Sequence, residues 1–383
     1  MLQKIRLLIV SKSTGGVATY VKSLVSGLNR DLFIITVVCL SENGKEFAAE
    51  LTQKYGVKAF HLAMNRYKVN PLTDAWVYLK LASHIRHERY DIIHAHASKP
   101  GFLIRMAAIG TGIPVIYSPH NFAFHEGTPG ILAWVVALFE KFAAIFTEKI
   151  VAVAQHERDL ALRYGVGTPE KYAVIHTGID ARPFRNDIDI SGIKKTINIP
   201  ADSPVIGTVG RLAVPKLPLD FVLVAAGINK IRPNVHFVWA GSGPLELEAK
   251  KLSFELGLDD RIHWLGQRSD VPALYRIFDC FVLLSQWEAY PYVILEAFAS
   301  GVPVVATSNL GTSELIETGR NGKLVPQGNI QAMVDAINEI LEDTEQAEAL
   351  CRAAEKQIDE VFTMETMLLS LEKIYMQKAT VLK

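Results

Sequence analysis

The sequence predicts an α/β protein of two doubly wound, Rossmann-like units, each a parallel sheet covered by helices, facing one another across a cleft. Three observations carry this prediction. Short continuous apolar runs such as "IRLLIV" and "FIITVVCL" alternate with longer amphipathic stretches from the first residues onward, as strands buried on both faces do and half-solvated strands do not. The alternation runs through the chain twice, interrupted by a polar, irregular stretch at 181–200. A chain of 383 residues is also long for one core and natural for two.

In the first unit, 1–180, the apolar runs place strands at Ile5–Val10, Phe33–Leu40, Val57–His61, Ile92–His94, Val115–Ser118, Ile150–Val153 and Ala173–Ile175. Helices fill the intervals, notably 17–28, 72–87, 101–109, 131–147 and 156–164, and such crossovers make the sheet parallel. After "VIHTGIDARPF" the stretch 181–200 lacks long apolar runs and is expected to be the linker. The second unit, 201–362, repeats the pattern, with strands at 204–209, 235–240, 262–264, 280–284, 303–306 and 323–325. Its helices fit 218–229, 244–255, 271–276, 292–299, 329–341 and 345–358. A last periodic segment, 363–383, is open to either unit, packing back on the first being one arrangement. No short internal repeat is present; what repeats is the architecture.

Composition narrows the function classes. The formal charge is zero overall, yet the first half is net basic and the second net acidic. A basic first half suits phosphate, a polyanionic acceptor or an anionic membrane, and ordinary scatter accounts for it equally well. No Lys- or Arg-dense run points to nucleic acid. Cys39, Cys280 and Cys351 are far apart and lack ligand spacing, as reduced residues of a cytosolic protein would be. The opening "MLQKIRLLIVSKSTGG" fits a first buried strand better than a secretory signal. The strongest membrane suspect is "ILAWVVALFEKFAAIFT", 131–147, too short to span and interrupted by Glu140-Lys141. It is expected to be a helix buried between the sheet and a neighbour, the alternative being a helix resting its apolar side in a bilayer surface.

In doubly wound sheets, ligands bind at the C-terminal ends of the strands, so the candidate site residues are sought there. Gly15 and Gly16 follow the first strand, where they serve equally as a helix-start turn or as a loop approached by a ligand; neither dinucleotide nor P-loop spacing is present. In "DIIHAHASKPG", His94 and His96 have no third metal ligand nearby and are expected to be hydrogen-bonded sheet and loop residues, while Lys99 can meet an acceptor phosphate. His120 stands at the tip of the strand in "PVIYSPHNF", placed to donate into the cleft or act as a base. His125 and Glu126 follow in a stretch that can orient an acceptor or be a mobile loop.

In the second unit, "VIGTVGRLAVPK" sets Gly210 at a strand end with Arg211 and Lys216 in the loop beyond, two cations suited to clamping a diphosphate. Gly241 and Gly243 in "WAGSGP" form a further turn that can face a ligand, although it is a competent turn without one. The stretch "LLSQWEAYPYVILEAF" delivers Glu288 to a strand end, then Ala289, Tyr290, Pro291, Tyr292 and Val293 into a helix start, with Glu296 within the helix. Pro291 suits the first helical turn, and the unpaired N–H groups there attract an anion. Thr312 and Ser313 are further phosphate-contact candidates.

Together these residues resemble the retaining glycosyltransferases of family 4, which have the GT-B fold. The likeness runs through nearly the whole chain. It is most specific in Gly210-Arg211 with Lys216, Gly241-Ser242-Gly243, and the Glu-x7-Glu spacing of Glu288 and Glu296 followed by "GVPVVAT"; Gly15-Gly16 and His120 match more weakly. The resemblance implies that Arg211 and Lys216 bind the donor diphosphate, Glu296 the nucleotide ribose, and Glu288 and His120 the transferred sugar. The Gly15-Gly16 loop would approach phosphates or acceptor, backbone after Glu288 would complete the pocket, and Gln267 and Arg268 would lie near the base. Leu217 and Ala289 stand where many relatives carry glycine.

The same resemblance implies a nucleotide-sugar donor, UDP-linked in most relatives, and a glycan or polyprenyl-diphosphate-linked acceptor of surface-polysaccharide synthesis, such as lipopolysaccharide or exopolysaccharide. It implies no cofactor and no required metal, and a protein of the cytoplasm or the cytoplasmic face of a bacterial inner membrane. Two other readings are a nucleotide-sugar 2-epimerase and a catalytically silent nucleotide-binding scaffold. The Glu-x7-Glu spacing favours transfer over the first, and the intact charged set argues against the second.

Overall fold

The computed structural model describes residues 3–42, 44–65, 69–125 and 127–380. The chain divides into two compact units, one built from the chain up to Gly178 together with the chain from Met364 onward, the other from Ile179–Thr363. Each has its own sheet and apolar core.

The first unit holds a seven-stranded parallel sheet in the order β3-β2-β1-β4-β5-β6-β7. Its strands are β1 (Ile5–Ser11), β2 (Phe33–Leu40), β3 (Lys58–Leu62), β4 (Ile92–His96), β5 (Val115–Ser118), β6 (Lys149–Ala152) and β7 (Tyr172–Val174). β1 is central, pairing Ile5 with Phe33 of β2 and Leu7 with Ile92 of β4, which is why "LLIV" is wholly buried. The crossovers are α1 (Gly16–Gly27), α2 (Lys45–Tyr55), α3 (Pro71–His87), α4 (Ser98–Ala107), α5 (Gly130–Ile145) and α6 (Gln155–Arg163).

α5 does not take the buried place expected of it. It turns small residues inward, Ala133, Ala137, Ala143 and Ala144 together with Glu140. Outward it turns Ile131, Trp134, Leu138, Phe139, Phe142 and Ile145. The reason is local: Glu140 reaches Arg105 of α4 at 2.7 Å and accepts from Tyr117 Oη at 3.2 Å. That buried carboxylate fixes the rotation of the helix, because an unpaired buried charge is far costlier than exposed apolar surface. Among the described residues no helix is long and apolar enough to cross a membrane.

The second unit holds a six-stranded parallel sheet in the order β10-β9-β8-β11-β12-β13. The strands are β8 (Val205–Val209), β9 (His236–Ala240), β10 (Ile262–Gly266), β11 (Cys280–Leu283), β12 (Val304–Thr307) and β13 (Lys323–Val325). Its helices are α7 (Ile190–Thr196), α8 (Pro218–Ile231), α9 (Glu246–Glu255), α10 (Val271–Tyr275), α11 (Tyr292–Ala299), α12 (Leu310–Ser313), α13 (Ile330–Glu342) and α14 (Thr344–Glu360). The stretch 181–200, expected to be an irregular linker, is instead folded into this unit. Asp189 caps α7 by accepting from Gly192 N–H at 2.9 Å, buried Lys194 donates to the carbonyls of Ala201 and Ser203, and Phe184, Ile197 and Ile199 are buried. Its few apolar residues suffice because the polar ones are spent on caps and carbonyls.

The last helix, α15 (Met364–Thr380), belongs to the first unit. Glu372 accepts from Asn29 N–H at 2.8 Å, and the buried Tyr375 hydroxyl lies 2.6 Å from Nδ1 of His94.

Candidate active site

In the second unit the sheet order reverses at β8, so the loops leaving β8 and β11 part to opposite sides and leave a crevice between them. Gly210 follows β8, its N–H donating to Ala240 O at 2.9 Å and its carbonyl accepting from Trp239 Nε1 at 2.8 Å. The turn Gly241-Ser242-Gly243 lies against this loop, Leu212 N–H reaching Ser242 O and Leu245 N–H reaching Leu212 O at 3.0 Å. A side chain at 241 or 243 would run into the carbonyls of Gly210 and Leu212. Both glycines are therefore required by the packing of one loop on the other.

Arg211 is exposed, whereas Lys216 turns inward and pairs with Glu288 across the crevice. Ser285 Oγ donates to the same carboxylate oxygen at 2.7 Å, and Gln286 N–H donates to Pro215 O at 2.9 Å, tying the two loops together. Leu217 has φ 48 and ψ 56, in the left-handed region. The chain thus makes with leucine a turn that glycine makes freely, at a cost of about 1–2 kcal/mol.

The floor under Glu288 comes from β12. Thr307 Oγ1 accepts from Ser285 N–H at 2.9 Å and donates to Ser285 O at 2.8 Å, so one hydroxyl satisfies both main-chain groups. Asn309 Nδ2 adds a bond to Ser285 O at 3.2 Å. Thr312, expected as a phosphate contact, is instead fully buried, its hydroxyl donating to Thr307 O at 2.6 Å within a capping box with Asn309. Ser313 is exposed, its hydroxyl beside that of Ser308. Gly311 packs against the backbone of Glu288, where a side chain would collide with the Glu288 carbonyl.

Ala289, Tyr290 and Pro291 lead into α11. Pro291, expected in the first turn, is the cap residue, extended at φ −73 and ψ 106, so Tyr292 and Val293 open the helix. The first-turn N–H groups of a helix have no intrahelical partner and favour an anion. Glu296, on the same helix, accepts from Tyr275 Oη at 2.9 Å, and burial pushes its carboxyl up to about 7. Gln267 and Arg268 follow edge strand β10, which Gly241 N–H joins through Gly266 O at 2.7 Å. Arg268 is held in a two-bond fork by Asp270 at 2.8 and 2.6 Å, so its charge is already paired.

In the first unit the order reverses at β1, and Gly15-Gly16 lie beyond that strand. Gly15 has φ 66 with open space around it, so it is demanded by conformation and not by contact. His94 and His96 point to one face of β4. His96 Nδ1 lies 2.9 Å from Nε2 of His120, and the ring of Tyr20 meets His120 edge-on at 4.6 Å. His120 and Asn121 both have positive φ, 52 and 92. Glu157 holds this turn, accepting from Asn121 N–H at 2.6 Å and Val153 N–H at 2.9 Å.

The acceptor candidates are less united. Lys99 pairs with Asp74 at 2.7 Å and donates to Asn65 O at 2.7 Å. His125 Nδ1 accepts from Gly127 N–H at 3.1 Å, and its loop is anchored in the core by Phe122 and Phe124, stacked at 4.7 Å. Glu126 lies outside the described residues. Sequence reasoning missed Tyr275, Glu157, Thr307 and Asn309, which touch the candidates but have no motif of their own. Among the described residues no group of three or more His, Cys, Asp or Glu side chains is placed to hold a metal.

Residues 14–182 match the family profile described as Glycosyltransferase Family 4, and residues 189–357 match that described as Glycosyl transferases group 1. The UDP-Gal:alpha-D-GlcNAc-diphosphoundecaprenol alpha-1,3-galactosyltransferase of Escherichia coli is 30% identical over 292 residues, which cover 75% of this chain and 76% of that one. The lipopolysaccharide core biosynthesis mannosyltransferase LpsB of Rhizobium meliloti is 34% identical over 177 residues, 44% of this chain and 50% of its own. Among solved structures, Anabaena HepE in complex with UDP and glucose superposes with a TM-score of 0.82 at 23% identity, covering 97% of this chain and 100% of that one.

Proposed function

This chain belongs to glycosyltransferase family 4, and from that premise we propose that it moves a glycosyl group from a UDP-sugar to a hydroxyl of a polyprenyl-diphosphate-linked glycan, with retention at the anomeric carbon. The observation that carries this reading is the cluster of Lys216, Glu288 and Ser285 across the β8/β11 crevice, beside the α11 helix start. It offers a cation and a helix terminus for a diphosphate, and a carboxylate for sugar hydroxyls, within one loop pair. The Escherichia coli relative, named for a UDP-linked donor and a diphosphoundecaprenol-linked acceptor, supports the choice of substrates.

In the proposed reaction the bond from the anomeric carbon to the diphosphate oxygen breaks, and its electron pair leaves with UDP. The acceptor oxygen forms the new bond on the same face, and its proton passes to the departing phosphate oxygen. Arg211, Lys216 and the start of α11 face the negative charge that develops. Glu296 grips the ribose, and His120 contacts the transferred sugar. Glu288 already accepts from two donors, so it is a handle for hydroxyls and not a free base. Two side-chain cations supply the neutralisation, and no metal is required.

The test is a transfer assay with UDP-, GDP- and ADP-sugars and polyprenyl-diphosphate-linked acceptors, with and without EDTA. Transfer from a UDP-sugar that EDTA does not slow, giving product of the donor's anomeric configuration, is expected. Donor binding with neither transfer nor hydrolysis across the panel overturns the reading, and isomerised UDP-sugar without acceptor turns it toward the epimerase.

We further propose that the outward face of α5 rests in the surface of an anionic bilayer, on its cytoplasmic side. Ile131, Leu138 and Ile145, at helical spacing, are 86%, 66% and 67% exposed. The single ionic residue on this face, Lys141, lies 5.6 Å from the ring of Trp134. A cation beside an aromatic ring, with the helix's acid turned inward onto Arg105, matches an interfacial helix facing negative headgroups. Cosedimentation with phosphatidylglycerol vesicles, accompanied by a blue shift of Trp134 emission, is expected and should be lost in a Leu138→Ser, Phe142→Ser variant. Unchanged partition of that variant, or a dimer in sedimentation velocity that it dissolves, overturns the bilayer assignment.

A further inference from the structure

We propose that His96 is a positioning residue that fixes the tautomer of His120, so that His120 carries its proton on Nδ1 and serves as a hydrogen-bond donor, not as a base. The consequence for catalysis rests on the proposed contact of His120 with the transferred sugar; the tautomer itself does not.

His96 Nδ1 and His120 Nε2 lie 2.9 Å apart, so one nitrogen presents hydrogen and the other a lone pair. Both rings stay uncharged at neutral pH. Burial brings His96 down to about 3, and burial, then His96 and Lys12, hold His120 well below the ordinary imidazole range. A neutral imidazole has one N–H and one lone pair.

The choice is made at the far side of His96. Its Nε2 is buried and meets no hydrogen-bond partner among the described residues. His94, packed on the same ring at 4.0 Å between centroids, cannot serve it, because its own nitrogens are engaged by Tyr375 Oη at 2.6 Å and Ser118 Oγ at 2.9 Å. If His120 were the donor, the only proton of His96 would sit on that Nε2 as a buried, unsatisfied N–H, a rare orphan in folded proteins. If His96 donates from Nδ1, the orphan is a lone pair. The second arrangement costs less.

With Nε2 of His120 accepting from His96, the one remaining polar atom of His120 is Nδ1–H. No lone pair is left to take a proton from an acceptor hydroxyl, which agrees with a route in which that proton goes to the departing phosphate. The left-handed turn at His120 and Asn121, held by Glu157, sets where the donor is aimed.

The experiment is nitrogen-15 NMR of the full chain labelled in histidine, with His120 assigned by the signal missing in His120→Gln. The expected spectrum shows His120 protonated at Nδ1, unprotonated at Nε2, and unchanged from pH 6 to pH 8. Three variants extend the test, each checked for intact folding by thermal unfolding. His96→Asn keeps an N–H donor near the Nδ1 position and should keep the tautomer and most of the transfer rate. His96→Leu removes it and should lower kcat about tenfold, roughly the value of one hydrogen bond. His96→Asp offers only acceptors and should reverse the tautomer. A His120 protonated at Nε2 in the native protein, or a folded His96→Asn as damaged as His96→Leu, overturns the proposal. If the tautomer is as expected while His120→Gln transfers normally, the tautomer assignment stands and the proposed sugar contact fails.

Discussion

Lys216 and Glu288, 72 positions apart in the chain, form an ion pair that spans the crevice between β8 and β11, and Ser285 donates to the same carboxylate. Both side chains are largely buried, at 22% and 14% exposure, so the pair is a net-neutral element within the crevice. On the proposed reading an entering diphosphate would compete for the ammonium and free the carboxylate for sugar hydroxyls. Lys216→Ala is therefore expected to weaken UDP binding by about 1.5–3 kcal/mol, roughly 10- to 100-fold, the worth of a hydrogen bond to a charged group. Glu288→Gln should retain UDP affinity and lose kcat. Calorimetric titration with UDP checks both, and an unchanged affinity in Lys216→Ala removes Lys216 from the phosphate role.

Glu296 should make the second unit sensitive to pH. Burial raises its folded-state pKa to about 7, above the unfolded value of a glutamate, so the folded protein binds this proton more tightly than the unfolded chain does. Its contribution to stability is then fullest at low pH and is lost as pH rises through about 7. Glu296→Gln should flatten that segment of the melting-temperature profile between pH 5 and pH 8. A ribose held by the carboxylate favours its ionised form, so affinity for a UDP-sugar should rise over the same interval in the native protein and not in Glu296→Gln. Parallel profiles for the two proteins would count against both statements.

Glu157 gives a test confined to the first unit. It accepts from the N–H groups of Asn121 and Val153 and so holds a turn with two successive positive φ values. Glu157→Ala leaves two inward-facing donors without this acceptor and should cost about 2–4 kcal/mol. Transfer should fall steeply while UDP affinity stays at the native level, because His120 is displaced and the second unit is untouched. A stable variant with normal kcat would show that the turn needs no such support.

Gly311 and Gly15 should answer differently to the same change. Gly311→Ala drives a methyl into the Glu288 carbonyl and should shift the Glu288 loop, raising KM for the donor and lowering kcat together. Gly15→Ala meets open space but sits at φ 66, so it should cost about 1–2 kcal/mol of stability through backbone strain, with little change in UDP affinity. Equal effects of the two on UDP-sugar binding would mean that contact at Gly311 is not what shapes the loop.

The strands, their parallel pairing, the placing of Gly210, Lys216 and Glu288 at strand and helix ends and that of Glu296 within a helix were legible in the order of residues. These features follow from local rules: a strand covered on both faces must be apolar throughout, and the turn after it is where polar residues resume. Other features depend on partners distant in the chain. "ILAWVVALF" is apolar on every side, so nothing within it says which side is inward; Glu140 meeting Arg105, 35 positions away, settles that. Nothing in the stretches around Lys99 and Asn65 says that Asp74 lies beside Lys99. Thr312 looks like a phosphate contact until its hydroxyl is found spent on Thr307. Residue order fixes which chemistry each loop carries, because backbone geometry and burial are written within a few neighbouring residues. Which charges are paired, which glycines are obligatory and which face of α5 is turned outward follow from three-dimensional packing, because a charge or hydroxyl takes whatever partner the fold brings within about 3 Å.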